Sequence, residues 1–398
     1  MTEFDEIRPY VKGEMKGALN ELLKDRHFNI MMRGFAPWLP RFVRNTLFRL
    51  AFIGIDTPQD FQIRFMKPVV NYVLRKYAKG ATFDSHTISN QSNYTFISNH
   101  RDIVLDSAIL DLLLYKSGFP ATCEIAIGDN LLIYPWIKTL VRMNKAFIVR
   151  RSLKAKEMLE SSQLMSRYIH YAITGKKENL WIAQREGRAK DSSDNTQDSV
   201  LKMLAMGGQG IPVDSLRELN IVPLTISYEY DPCDYLKAQE FQLKRDNPTW
   251  KKSKQDDLDN MRTGIMGQKG YVHYRAGRPL NEWIDQLAEL PRTEVFKEIA
   301  RRIDQEIHSG YMLYPGNYVA YDELNATDRF ASHYTADDKA TFDTYVAGQI
   351  AKVKLDNPDE AFLRERILTM YANPVVNFFK NRQLTTVDLP THHGRLPN

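Results

Sequence analysis

The strongest constraint on the fold is a series of short apolar segments that alternates with helical segments in the middle of the chain. Each apolar segment has four to seven residues and polar residues at its ends; the segments are 94–98, 123–127, 146–149, 180–183, 221–227 and 270–274. Helical patterns separate most of them, for example at 104–116 and 154–174. Strands that alternate with helices are typical of an α/β protein in which helices cover a central sheet. We therefore predict an α/β fold with a mixed central sheet flanked by helices.

The sequence on either side of this region has a helical pattern. Before residue 91 the apolar residues recur at three- and four-residue steps, with a break at Pro37 and Pro40. Thr57-Pro58 can start a helix over 59–77, and Lys79-Gly80 can end it. After residue 282 the pattern is helical again. We predict three parts: a helical N-terminal region (1–91), an α/β domain (92–282) and a helical C-terminal region (283–398).

The basic residues are concentrated in two segments, although the net charge of the chain is only +5. Residues 41–79 contain eight basic and two acidic residues, and residues 138–156 contain seven basic residues and no acidic one. The second segment alone would fit a nucleic-acid binder, but no known nucleic-acid-binding motif accompanies it. At the start of the first segment and just before it, Arg41, Arg44 and Arg49 are interleaved with apolar side chains: Phe35, Trp38, Leu39, Phe42, Leu47, Phe48 and Phe52. This part of the chain is either a membrane-surface segment or an amphipathic helix packed on the α/β domain.

A candidate general base follows the first predicted strand. His100 comes directly after residues 94–98, where α/β proteins place their sites, and two carboxylates follow it, Asp102 and Asp106. A carboxylate can orient an imidazole through Nδ1–H and leave Nε2 free to accept a proton from a hydroxyl. The alternative is a polar loop in which Asp caps a helix and His is solvated.

Two further segments carry candidate anion-binding residues. Arg150 and Arg151 end the strand predicted at 146–149, where paired N–H donors can bind a phosphate. The strand at 180–183 opens into a loop that contains Glu186, Gly187, Arg188 and Lys190, in which the glycine allows a tight turn and the cations can bind phosphate or carboxylate. The alternatives are a solvated strand edge and an ordinary turn.

Taken in order, these segments resemble the glycerolipid acyltransferase superfamily, which includes glycerol-3-phosphate and 1-acylglycerol-3-phosphate O-acyltransferases. That family has an N-H-x4-D block, a strand ending in Arg, a block usually read as F-P-E-G-T-R, and an apolar strand containing V-P. The corresponding residues are Asn99-His100 with Asp106, 147–151, Glu186-Gly187-Arg188 and Val222-Pro223, and 270–280 resembles the closing strand and its G-x-P turn.

Two departures accompany the resemblance. Five residues, not four, separate His100 from Asp106, so that Asp102 is an alternative partner. Arg188 follows Gly187 directly, one position early, and Gln184-Arg185 replaces Phe-Pro.

The resemblance implies an acyltransferase that moves an acyl chain from a thioester donor to a hydroxyl of a glycerol-phosphate-type acceptor. The donor is acyl-CoA or acyl carrier protein as a co-substrate, with no bound cofactor or metal, and 1-acylglycerol-3-phosphate is the favoured acceptor. Glycerol 3-phosphate and an amino-acid lysolipid are alternative acceptors. His100 is implied as general base and Asp106 as its partner, while Arg150, Arg151, Glu186, Gly187, Arg188 and Lys190 are implied in substrate binding.

The sequence leaves two other functions to consider, an inactive lipid-binding fold and a hydrolase, and it also bears on where the protein is located. An inactive acyltransferase fold that binds lipid would carry the same loops, whereas a hydrolase would need a G-x-S-x-G elbow or a Cys–His pair, and neither is found. No apolar run of about 18 residues could span a bilayer, the start of the chain lacks a signal-peptide pattern, and Cys123 and Cys233 suggest no disulfide framework. We expect a cytoplasmic enzyme, either free or peripheral on the inner face of the cell membrane.

Overall fold

The computed structural model describes residues 2–35, 38–151 and 153–382. The predicted break at Pro37 and the end of the C-terminal region, 383–398, lie outside these residues. Within the described chain, no helix is both long and apolar enough to cross a membrane.

A mixed sheet forms the centre of the molecule, as predicted, and it has seven strands. Its strands are β1 (Gly80–Asp84), β2 (Thr95–Ser98), β3 (Cys123–Gly128), β4 (Ala146–Val149), β5 (Asn179–Ala183), β6 (Ile221–Tyr228) and β7 (Tyr271–Ala276). Their spatial order is β1-β7-β6-β2-β5-β3-β4. Every neighbouring pair is parallel except β6 and β7, which are antiparallel.

Sixteen α-helical segments surround this sheet in the described chain. They are α1 (Met15–Lys24), α2 (Arg26–Phe35), α3 (Arg41–Ala51), α4 (Pro58–Asp60), α5 (Lys67–Tyr77), α6 (Leu105–Lys116), α7 (Pro135–Met143), α8 (Ala155–His170), α9 (Asp198–Leu204), α10 (Pro212–Glu218), α11 (Asp234–Asp246), α12 (Lys254–Met266), α13 (Arg292–Ser309), α14 (Pro315–Leu324), α15 (Ala336–Ile350) and α16 (Glu360–Arg382). A π-helical turn at Phe61–Met66 joins α4 to α5. The predicted helix start is present, because the Thr57 hydroxyl accepts from the Asp60 backbone N–H and the Asp60 side chain bonds back to Thr57.

The two faces of the sheet carry separate apolar cores. Strand side chains alternate between the faces, so that Leu180 and Ile182 pack with α8, α9, α10 and α13, whereas Trp181 packs with α5 and α6. Helices therefore cover both faces, and the ends of the central parallel strands are left as the place where loops from several strands meet.

The N-terminal region packs beside the sheet but is not helical throughout. Phe28, Phe48 and Phe52 form an aromatic cluster that Met143 of α7 completes. Strand β1 lies within the part predicted as helical, and it pairs in parallel with β7. The N-terminal region is helical as predicted in the segments before β1, and β1 is the exception. Its five residues are half-buried at the sheet edge and form no apolar run that would predict a strand.

A buried carboxylate joins α11 to the C-terminal helices. Asp234 accepts hydrogen bonds from the Tyr345 hydroxyl at 2.7 Å and from the Tyr371 hydroxyl at 2.9 Å, and the Gln349 amide also donates to it. Burial raises the pKa of Asp234 to about 7, although these two hydroxyls oppose the shift. The Asp234 carboxyl is thus easier to protonate in the folded protein than in the unfolded chain.

We expect Asp234→Asn to flatten the pH dependence of stability. Because the folded pKa of Asp234 lies above the unfolded value of about 3.9, its contribution is present at low pH and is lost as pH rises to about 7. Chemical denaturation at about pH 5 and about pH 8 should therefore show a smaller change in the free energy of unfolding for the variant than for the wild type. The exposed Asp356 provides the matched control, Asp356→Asn. An unchanged pH dependence in Asp234→Asn would contradict this interpretation.

Candidate active site

The predicted site segments meet at one edge of the sheet. Strands β2, β3, β4 and β5 run parallel, so their carboxyl ends lie at the same edge. His100 follows β2, Arg150 and Arg151 follow β4, and Glu186 follows β5. The topology therefore brings together segments that are up to about ninety residues apart in sequence.

His100 and Asp106 form a hydrogen-bonded pair. The Asp106 Oδ2 atom lies 2.8 Å from His100 Nδ1 and also accepts the backbone N–H groups of Arg101 at 2.6 Å and Asp102 at 3.0 Å. On the other carboxylate oxygen, the Tyr228 hydroxyl donates at 3.2 Å. Asp106 is fully buried in the first turn of α6, and four donors hold its position. The pair therefore has a rigid carboxylate and an imidazole oriented by it.

The Nε2 atom of His100 has no hydrogen-bond partner in the described part of the chain. The His100 side chain is 13% exposed. Trp181 packs edge-on against the ring with 5.4 Å between centroids. The Trp181 indole N–H donates to the Ser98 hydroxyl at 3.0 Å, which fixes this packing surface. An Nε2 atom placed in this way can accept a proton from a substrate hydroxyl.

Asp102 has a different position and a different role. Its Oδ1 atom accepts the backbone N–H groups of Val104 and Leu105, both at 2.8 Å, and so caps the start of α6. Burial raises the pKa of Asp102 above its ordinary value, and the neighbouring Asp106 carboxylate raises it further. Asp102 and the backbone groups that it caps lie between His100 and Asp106 in the chain, and Asp106 is in the first turn of α6. Of the two candidate partners, only Asp106 contacts His100.

A buried ion pair fixes the loop that carries His100. The Arg101 guanidinium donates to both carboxylate oxygens of Asp194, at 3.2 and 2.5 Å, and both side chains are less than a tenth exposed. Asp194 also accepts from the Tyr311 hydroxyl at 2.6 Å and from the Asn99 amide at 3.3 Å. The loops after β2 and β5 are therefore tied to each other and to the segment after α13.

The two arginines after β4 have different partners. Arg150 pairs with Glu6, and the exposed fractions of the two side chains are 39% and 74%. Arg151 lies closer to the loop after β5, with its guanidinium 3.6 Å from the Glu186 carboxylate and its backbone N–H bonded to Asp129 at 3.2 Å. Arg151 and Glu186 therefore adjoin at the sheet edge, whereas Arg150 contacts the N-terminal segment.

The basic residues after β5 reach toward α11 and α12. Gly187 has a φ of +69°, a left-handed conformation that favours glycine and turns the loop as predicted. Arg188 donates to the Asn260 side chain of α12 at 2.8 Å, while its second terminal nitrogen is buried without a partner among the described residues. Lys190 pairs with Glu240 of α11. The structure thus does not gather all four cations at one point.

Comparison with known proteins decides which family this arrangement represents. The acyltransferase family model matches residues 82–225, a range that runs from within β1 to within β6 and includes His100, Asp106, Arg151 and Arg188. This chain carries an acyltransferase domain. The match confirms, over these residues, the resemblance found in the sequence.

The chain was also compared with solved structures and with curated protein sequences. The chain is similar to the 1-acyl-sn-glycerophosphate acyltransferase PlsC of Thermotoga maritima, at 13% identity over 73% of this chain and 97% of that chain, with a TM-score of 0.37. No curated protein sequence matches the chain.

Helix α12, which follows the matched residues, covers the loop that carries the candidate base of the acyltransferase. A Cβ atom at Gly264 would lie 2.0 Å from Asp102 Oδ2, so the helix can approach the loop this closely only with glycine at that position. Neither α12 nor its contact with the site is predicted by the sequence pattern. A glycine in a polar helix was the one available signal, and by itself it does not indicate what the helix contacts.

Proposed function

We propose that this acyltransferase transfers an acyl chain from a thioester to a hydroxyl of a glycerol-phosphate-type acceptor, with His100 as general base. The observation that carries the proposal is the His100–Asp106 pair at the edge where the loops of the domain meet, in which Nδ1 is bonded and Nε2 has no partner among the described residues. One base, oriented by one carboxylate, suffices when the acceptor hydroxyl is itself the nucleophile.

In the proposed reaction, His100 Nε2 takes the proton of the acceptor hydroxyl as its oxygen attacks the thioester carbonyl carbon. The new C–O bond forms, the C–S bond breaks, and the thiolate leaves with the proton returned by the imidazolium. Asp106 stabilises the imidazolium and keeps the proton-accepting nitrogen in the correct tautomer. General-base assistance of this kind contributes about 10²–10⁴-fold to the rate.

Arg151 and Arg188 are the proposed ligands of the acceptor phosphate. Arg151 is about a third exposed at the sheet edge, and Arg188 has a terminal nitrogen without a partner in the described part of the chain. Arg150 and Lys190 are already paired with Glu6 and Glu240, so binding phosphate would require those pairs to open. Glu186 would orient Arg151 rather than act as a base.

A substrate with one acyl chain, 1-acylglycerol-3-phosphate, is the proposed acceptor because α3 presents an apolar surface outward. Whereas Phe48 and Phe52 pack inward, Phe42 and Leu50 of α3 are 73% and 55% exposed, and Ile53, two residues after the end of α3, is 71% exposed. Exposed apolar side chains next to arginines are typical of segments that lie at an anionic membrane surface. We therefore propose that α3 contacts the membrane from which the acceptor is taken.

The double variant Phe42→Ser/Ile53→Ser should weaken membrane binding. Loss of two apolar side chains from the interface should lower the partition coefficient on anionic phospholipid vesicles at least roughly tenfold. Vesicle sedimentation measures this coefficient, and Leu290→Ser, which changes an exposed leucine before α13, is the control. Equal sedimentation of the double variant and the wild type would indicate that α3 only packs on the protein.

A panel of donors and acceptors tests the proposed function. Labelled acyl-CoA and acyl carrier protein are each incubated with 1-acylglycerol-3-phosphate, glycerol 3-phosphate and an amino-acid lysolipid, and new lipid is separated and identified. We expect a diacyl product from 1-acylglycerol-3-phosphate. Free fatty acid alone would indicate hydrolysis, and lipid binding without turnover would indicate an inactive fold; either result would contradict the proposal.

A further inference from the structure

An open groove lies between α11 and α12, outside the residues that the family model matches. Its volume is about 510 Å³, within the range of about 300–1,000 Å³ that is usual for small-molecule sites. Tyr235 and Trp250 contribute aromatic surface, and Arg262, Lys352 and Lys354 contribute positive charge. The groove therefore combines rings and cations on one concave surface.

The groove borders the loop that carries Arg188. Asn260, which lines the groove, accepts the hydrogen bond from Arg188, and Glu240, which also lines it, pairs with Lys190. The helix that forms one wall also contacts Asp102 through Gly264. The groove and the candidate active site therefore share α12 and the loop after β5.

Three of the four basic residues that line the groove have no acidic partner among the described residues. Neither Arg262 nor Lys354 has an acidic partner within the described chain, Lys352 donates only to the Gln349 amide, and Lys252 pairs with Asp257. Among the acidic lining residues, Glu240 pairs with Lys190 and Lys244. The Asp256 carboxylate accepts from the backbone N–H and hydroxyl of Ser253, and Asp259 accepts from the Gln255 amide, so these two carboxylates have neutral partners. The groove thus offers unpaired positive charge to an anionic ligand.

Trp250 offers a flat apolar surface in the same groove. It is half-buried, and in the part of the chain that the structure describes no other ring packs against it. A planar aromatic ligand could stack on this indole, because aromatic side chains stack with any nucleotide base.

We propose that this groove binds the nucleotide end of acyl-CoA, with the adenine on Trp250 and the phosphates on Arg262 and Lys354. The inference rests on the proposed function and deepens it by naming the donor. A nucleotide supplies both the ring and the negative charge that this surface matches. A carrier protein would instead contact the enzyme over about 800 Å² on each partner, a surface much larger than this groove.

Binding of 3′,5′-ADP tests the groove without requiring turnover. This nucleotide carries the adenine ring, the 3′-phosphate and the first 5′-phosphate of CoA but no thioester, and its dissociation constant can be measured by calorimetry on the wild type and on His100→Ala. We expect equal affinity in those two proteins and at least roughly tenfold weaker binding in Trp250→Ala and in Arg262→Gln/Lys354→Gln. Trp250→Phe should retain most of the affinity because it retains a stacking ring. Lys297→Ala, at an exposed site on α13, is the charge control.

The kinetic arm separates failure of this inference from failure of the proposed function. With acyl-CoA as donor, the groove variants should raise KM for the donor about tenfold and leave KM for the acceptor unchanged. If the wild type transfers acyl chains but the groove variants show unchanged donor KM and unchanged 3′,5′-ADP binding, the groove is not the donor site while the proposed function stands. Transfer from acyl carrier protein alone, with no binding of 3′,5′-ADP, would also overturn the inference.

Discussion

His100→Ala should lower kcat for acyl transfer by about 10²–10⁴-fold while the protein remains folded. The loss is expected because, among the described residues, no other base is hydrogen-bonded to Asp106. The remaining donors to this carboxylate are two backbone N–H groups and the Tyr228 hydroxyl, and none of them can take the proton of the acceptor hydroxyl. Release of free thiol from acyl-CoA in the presence of acceptor measures the rate. Thermal unfolding checks that the variant is folded.

The chain contains a matched control for this experiment. His86 also lies beside an aspartate, with its Nδ1 atom 2.5 Å from Asp84, but its side chain is 63% exposed and lies outside the strand-end loops of the site. His86→Ala should therefore leave kcat within about twofold of the wild type. If both variants retained wild-type turnover, His100 would not be the general base.

Asp106→Asn should reduce turnover far more than Asp102→Asn. Asn at position 106 can keep a hydrogen bond to the ring but has no charge to stabilise an imidazolium, so we expect a loss of about 10²-fold or more in kcat. Asp102 contacts the backbone at the start of α6 and not His100, so its amide variant should lose less than about tenfold.

The stability of the two aspartate variants gives the control for this comparison. Both carboxylates are buried and both accept backbone N–H groups near α6, so both variants should lower the melting temperature. Only Asp106→Asn should combine that loss with the large fall in kcat. A larger kinetic loss in Asp102→Asn would transfer the partner role to Asp102.

Much of the fold could be predicted from local pattern. Each apolar run forms a strand close to its predicted position because β-branched and aromatic residues in short segments have few other buried conformations, and β2, β4 and β6 are examples. The exception, β1, is an edge strand with half-buried residues throughout. Edge strands bury too little surface to impose a recognisable pattern.

The site was less predictable because it depends on contacts between distant residues. The spacing in the sequence does not show whether Asp102 or Asp106 is the partner of His100. The difference depends on the backbone at the start of α6, where the Val104 and Leu105 N–H groups bind the Asp102 carboxylate. Nothing in sequence marked Asp194, whose partners Arg101 and Tyr311 lie 93 and 117 residues away. Helices α11 and α12 were also missed, and so was the groove between them.

The most direct test of the proposed function is the identity of the lipid made by the purified wild-type protein and by His100→Ala. Each is incubated with acyl-CoA and 1-acylglycerol-3-phosphate, and the lipid extract is analysed by mass spectrometry. We predict that the wild type forms the diacylglycerol 3-phosphate at a steady rate, and that His100→Ala forms it at least about 10²-fold more slowly. No diacyl product from the wild type, or equal rates in the two proteins, would contradict the proposed reaction.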